Sequence, residues 1–168
     1  LVSGGTQYVC GAATVSGNQF TQVNPTNVLL TLTNNATLTW LWDTNVLLQT
    51  AVSGSGTVAP TGGWYALGGS VTVTATPGGH AVFVHWTGDT QGNVSNAVMA
   101  LTMDRARSVT AVFAATQETL TVVSDHGGAS PGSQTVAYGT IVTQRVVNSP
   151  LVSGGTQYVC GAATVSGN

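Results

Sequence analysis

The eighteen residues LVSGGTQYVCGAATVSGN fill positions 1–18 and return unchanged at 151–168, so the sequence restarts itself with a period of 150 residues. A repeat of this kind constrains the fold, because each unit must either bury its own apolar face or lean on its neighbours. A weaker repeat is nested inside the period. TAVSGSGTVAP (50–60) aligns with TVVSDHGGASP (121–131), and WYALGGSVTVTATP (64–77) with VAYGTIVTQRVVNSP (136–150). TLTWLWDTNVLLQT (37–50) occupies the place of VTAVFAATQETLTV (109–122), as the strand that closes one module and enters the next. Each period therefore holds two related modules of roughly 70–80 residues. The sequence is out of phase with them. Residues 1–46 read as the C-terminal part of a module, 47–115 as a complete one, and 116–168 as the N-terminal part of the next.

Period-two alternation of apolar and polar residues runs through NVLLTLT (27–33), ATLTWLW (36–42), SVTVTAT (70–76) and AVFVHW (81–86). It continues in RSVTAVF (107–113), ETLTVV (118–123) and TIVTQRVV (140–147). Successive strand side chains point to opposite faces, so this is the pattern of half-buried strands. Turn residues separate the runs, among them SGSG (53–56), PGG (77–79) and SPGS (130–133). No stretch sustains a helical period, and MDRARS (103–108) reads as a loop or single turn. The expected fold is all-β, with tandem small modules built from sandwich- or β-grasp-like sheets and no substantial helix.

Charged residues make up 5% of the chain, with three basic side chains and a net charge of −2. Three cations cannot supply the phosphate contacts of a nucleic-acid binder or the basic patch of an anionic-membrane reader. The longest apolar runs are far shorter than the roughly 20 residues of a spanning helix, so membrane insertion is not expected. The sequence shows no starting Met, signal peptide or sorting tail, and is expected to be a processed product or a segment of something larger.

SGSGTVAPTGGWYALGGSVTVTATPGGHAVFVHWTGDTQGNVSNAVMALTMDRARSVTAVFA (53–114) resembles the divergent internalin-type B-repeat family of bacterial surface proteins. The resemblance rests on the Val ahead of Pro60, the WY at 64–65, VTVTATP (71–77), WTGD (86–89), LTMD (101–104) and SVTAVFA (108–114). The remainder of the chain is similar to a related repeat interleaved with it in secreted bacterial proteins. That second module carries Ala13 at the approximate counterpart of Trp86, which removes a large core anchor. The resemblance implies extracellular or cell-surface β spacers and no catalyst.

Catalysis needs convergent titratable groups, and the inventory is Asp43, Asp89, Asp104, Asp125, Glu118, His80, His85 and His126. No strand–helix Gly-x-Ser-x-Gly elbow and no paired metal-ligand spacing accompany them. GDTQGN (88–93) does not fit a calcium loop, and Asp89 is expected to cap its own turn. No enzyme activity, catalytic residue, cofactor or metal is expected. Cys10 and Cys160 are one position seen twice, and are candidates for interchain contact or cross-linking, although a small buried hydrophobe is the commoner role. Trp40 and Trp42 share a strand face, and with Trp64 they are candidates for either a module interface or a ligand-facing surface.

Two functions follow as expectations. The first is a structural extracellular repeat protein, a spacer, stalk or self-assembling fibre unit whose partner is itself. The alternative is a cell-surface adhesin or carbohydrate-binding module that presents its Trp residues to a glycan. The phase of the modules adds a sharper expectation: residues 116–150 of one chain complete the module begun by 1–46 of the next, with 1–18 and 151–168 competing for one slot. A covalently continuous array and closure within one chain are the other two arrangements.

Overall fold

The computed structural model describes residues 1–167, and they form strands and turns with no helix among them. The chain divides into two compact units, Leu1–Ala114 and from Ala115 onward.

The first unit contains β1 (Val2–Ser3), β2 (Thr6–Ser16), β3 (Phe20–Asn24), β4 (Asn27–Leu30) and β5 (Thr37–Ser53). It continues with β6 (Gly56–Ala59), β7 (Gly63–Ala66), β8 (Ser70–Pro77), β9 (Ala81–Gly88), β10 (Val98–Thr102) and β11 (Arg107–Ala115). Seventeen residues long, β5 belongs to two arrangements at once. Its first part pairs antiparallel with β2, from Thr37↔Ser16 to Val46↔Thr6. Its last part pairs in parallel with β11, from Leu48↔Arg107 to Ser53↔Val112. On its other edge β7 pairs antiparallel over Asn45–Leu48. The sheet order is β1-β2-β5-β11-β9, and a second sheet runs β10-β8-β6.

The core lies between the last part of β5 and its neighbours on one side and the β10-β8-β6 sheet on the other. The alternation decides who enters it: Val46 and Leu48 of β5, Val71, Val73 and Ala75 of β8, Met99 and Leu101 of β10, and Val109, Ala111 and Phe113 of β11. Trp86 of β9 is also buried, and its indole N–H donates to the Asn96 carbonyl at 3.0 Å, so the ring enters the core with its polar edge satisfied. Phe83 meets Trp86 and Phe113 with centroids 5.7 and 5.8 Å away. Gly88 ends β9 at φ +94°, and a Cβ there would run into the Ser108 carbonyl, so this position requires glycine.

The second unit contains β12 (Gln117–Leu120), β13 (Ala129–Ser130), β14 (Gln134–Ala137), β15 (Arg145–Val146), β16 (Leu151–Ser153) and β17 (Thr156–Tyr158). These pair two by two, as β12-β14, β13-β15 and β16-β17. Several alternating runs are shorter here than the sequence implies. ETLTVV (118–123) is a strand only to Leu120, and TIVTQRVV (140–147) only at Arg145–Val146. The reason is in the pairing. In the first unit the equivalent strands β5 and β8 each have partners on both edges, whereas β12 and β15 have one each.

Candidate functional site

The two units contain matching pieces. In the first, β6 and β8 pair with Val58↔Ala75 and Ala59↔Thr74; in the second, β13 and β15 pair with Ala129↔Val146 and Ser130↔Arg145. Every partner is displaced by the same 129 − 58 = 71 positions. The β5–β7 pairs Asn45↔Ala66 through Leu48↔Gly63 have counterparts in Gln117↔Ala137 through Leu120↔Gln134. These are displaced by 117 − 45 = 72 positions on β5 and 137 − 66 = 71 on β7, because one residue fewer separates Leu120 from Ala129 than Leu48 from Val58. Residues 117–146 therefore repeat the β5-β7 and β6-β8 pairings of the complete module.

The other half of a module lies at the start of the chain. LTWLW (38–42) matches VTAVF (109–113) of β11, and NVLLTL (27–32) matches VMALTM (98–103) from β10 onward. The burial rhythm of β4 follows that of β10, with Val28 and Leu30 turned inward as Met99 and Leu101 are. The ribbon of β2 and the first part of β5, with the β3–β4 hairpin beside it, thus stands where β9, β11 and β10 stand in the complete module.

What this half lacks is a cover. Phe113 is 6% exposed, but its counterpart Trp42 is 58% exposed. Met103 is 0% exposed and its counterpart Leu32 is 69%; Val109 is 0% and its counterpart Leu38 is 39%. Positions that form the core of one module are thus open to solvent in the other.

One edge of this ribbon is also unpaired. Leu47 donates its N–H to Gly5 on the β2 side, while the Thr44 carbonyl accepts from Leu67 on the β7 side. Alternation then turns the backbone groups of Leu38, Trp40 and Trp42 away from β2. Among the described residues no strand pairs with that edge over Thr37–Asp43.

The candidate residues fall into place on this frame. Ala13 is buried directly opposite Trp40, so the bulk missing at Ala13 stands on the facing strand. The complete module has the reverse arrangement, with Trp86 on β9 and Ala111 on β11. Trp64 pairs with Leu47, one position out of phase with Trp40 and Trp42, and so lies on the opposite face of the sheet. The three Trp residues do not converge on one surface. Cys10 is buried, with its thiol donating to the Pro25 carbonyl at 3.1 Å, whereas Cys160 is exposed; both are free thiols. The two copies of the eighteen-residue repeat thus differ in structure. The first forms the eleven-residue β2, and the second forms only the β16–β17 hairpin, with residues 159–167 outside any strand.

Asp89 caps a neighbouring strand and not its own turn: Oδ2 accepts the Ser108 N–H at 3.0 Å and Oδ1 faces Arg105 at 3.4 Å. The Ser108 amide, then Arg105, hold its carboxyl below the usual carboxylate range. Beside it Arg107 is buried, donating to the Thr102 and Asp89 carbonyls at 2.8 and 3.1 Å and to Asp104 at 2.8 Å. Sequence reading missed Arg107. Its signal was phase, because it alternates with Val109, Ala111 and Phe113 on the inward face of β11.

A cavity of about 370 Å³ in the second unit is lined by Asp125, His126, Tyr158 and Cys160 among others. His126 stacks on Tyr158 with centroids 3.8 Å apart, and the Ser124 hydroxyl donates to the His126 backbone carbonyl. That hydroxyl is thereby turned to the main chain. Among the described residues no three His, Cys, Asp or Glu side chains are grouped to hold a metal ion.

No curated protein and no solved structure matches the chain. Residues 46–117, the segment that the structure closes into the complete module around Trp86, match the divergent InlB B-repeat domain.

Proposed function

We propose that this chain is a structural repeat segment of a bacterial surface protein, in which B-repeat-like modules follow one another as an extracellular spacer or stalk. The observation that carries this reading is the presence of one closed module and two partial copies of a second, which repeat its strand pairings. A chain built this way extends by adding modules, and its work is spacing and not chemistry. The family match supports a surface role, and the low charge suits strands that pair along an array. An outside location also relieves the aggregation hazard that exposed strand edges carry in a crowded cytosol.

The test is to join one, two and three 150-residue periods in tandem and measure each by small-angle X-ray scattering. A spacer gains a constant increment in maximum dimension per period. A maximum dimension that stays nearly constant, with the periods collapsed on one another, sinks the reading.

A further inference from the structure

We infer that the open edge of β5 is a docking site for a second copy of this chain, which inserts its Leu120–Ser124 segment as a parallel strand. This goes beyond a spacer role and does not depend on where the protein resides.

The complete module supplies the template. There β11 lies in parallel against the last part of β5, with Val109 opposite Thr50 and Thr110 opposite Ala51. With β11 displaced by 71 and β5 by 72, as in the β12–β14 pairing, the counterparts are Leu38 opposite Val122 and Thr39 opposite Val123. The backbone of Val122 is oriented for this pairing. Val122 already donates its N–H to Ser133 on the β14 side, so alternation aims Thr121 and Val123 to the opposite edge. Leu38 presents its own N–H and carbonyl outward from β2. A parallel ladder needs this arrangement, in which one residue is bracketed by the two neighbours of its partner. Side chains agree as well: Leu38 and Val122 both fall on the inward phase, as Val109 and Thr50 do.

The second sheet closes by the same rule. β10 pairs with β8 through Val98↔Thr74 and Leu101↔Val71. The counterparts place Asn27 opposite Arg145 and Leu30 opposite Val142, which would extend β15 along the alternating run that the second unit leaves unpaired. Both sheets then cover the exposed Leu38, Trp42 and Leu32. The contact uses different surfaces on the two copies, so it propagates head to tail into a filament unless its rotation closes a ring. The β2 slot is already filled by residues 6–16, so residues 159–167 of each chain stay outside the joint.

The experiment mixes two copies of the 168-residue chain, one carrying Thr39→Cys and the other Val123→Cys, both with Cys160→Ser, under mild oxidation. A disulfide-linked heterodimer is expected, because directly opposed strand residues lie within disulfide reach. Sedimentation of the unsubstituted chain should show mass rising with concentration. Val123→Pro, which removes the N–H aimed at Leu38, should weaken that association at least tenfold. The substituted residue is exposed and outside any ladder, and unchanged amide exchange in β12 and β14 would report an intact second unit. A chain that stays monomeric at every concentration, an undiminished association of Val123→Pro, or failure of the two thiols to join would each overturn the inference.

Discussion

At the scale of residues, the same side-chain position takes two roles depending on what covers it. Phe113 sits in a finished core, so Phe113→Ala should cost about 3–5 kcal/mol in chemical denaturation. Trp42→Ala removes a larger ring at the equivalent position, yet in dilute, dissociated chain it should cost less than about 1 kcal/mol, since most of that ring is already in water. Equal losses in the two variants would mean that Trp42 is buried in the lone chain. A second residue-scale prediction concerns Asp89. Its folded carboxyl titrates lower than its unfolded one, chiefly through the Ser108 amide and then Arg105. The unfolded chain therefore takes up this proton first as pH falls. The stabilisation is complete above the ordinary carboxylate value of about 4 and drains away as pH drops through the lower folded value. Asp89→Asn should flatten the acid limb of a denaturation-midpoint profile between pH 5 and about 2, and an unchanged limb would contradict the assignment. Next to it, Arg107→Met removes the charge-assisted hydrogen bonds to the Thr102 and Asp89 carbonyls and should cost about 1.5–3 kcal/mol. Much of this layer was legible beforehand. The alternation in RSVTAVF and SVTVTAT named the core positions, and Arg107 itself stands in the inward phase. The charge on Arg107 hid it, because an arginine in a short turn motif reads as surface unless its partners Thr102, Asp89 and Asp104 are seen to converge.

At the scale of elements, the instructive case is one sequence in two structures. Residues 6–16 form an eleven-residue strand because β5 lies alongside, and the identical residues 156–166 form a three-residue strand followed by backbone outside any strand. Local propensity is the same in both, so the difference is tertiary: a strand holds its ladder only against a partner. This is why alternation placed the strands well and their lengths poorly. A thiol reagent makes the contrast measurable. Under native conditions Cys160 should react at the rate of an exposed thiol and Cys10 at least a hundredfold more slowly, with Cys160→Ser leaving no fast-reacting group. Thr14→Pro removes the β2 N–H that pairs within the ribbon opposite Thr39, and should release Cys10 to rapid labelling without altering the Trp86 core. Comparable rates for the two thiols in the unsubstituted chain would show that β2 is not held in place. The repeat by itself leaves open which copy forms the strand, because that depends on the single copy of TLTWLWDTNV.

At the scale of the whole molecule, stability is distributed unevenly. Every buried apolar side chain among the described residues lies between Cys10 and Phe113, and the second unit contributes none. A unit with paired strands and no buried layer cannot offset the chain entropy of ordering it by much, so its amides should exchange through small local openings. β8, β10 and β11 should instead exchange only with global unfolding. If that weakness comes from strands paired on one edge only, then supplying a partner strand covalently should cure it. A chain lengthened after Asn168 by a second copy of residues 19–46 gives residues 151–168 the β5-like strand they lack. In that chain Cys160 should become as protected as Cys10. Exchange at Thr121 and Val123 should slow toward the rates of Ala51 and the other β5 amides. Its own Leu120–Ser124 segment would then be occupied in cis, so concentration-dependent association should fall sharply even though the first β5 edge stays open. A lengthened chain that leaves Cys160 reactive, or that associates as readily as the original, would show that the two halves are similar in sequence without being complementary in structure.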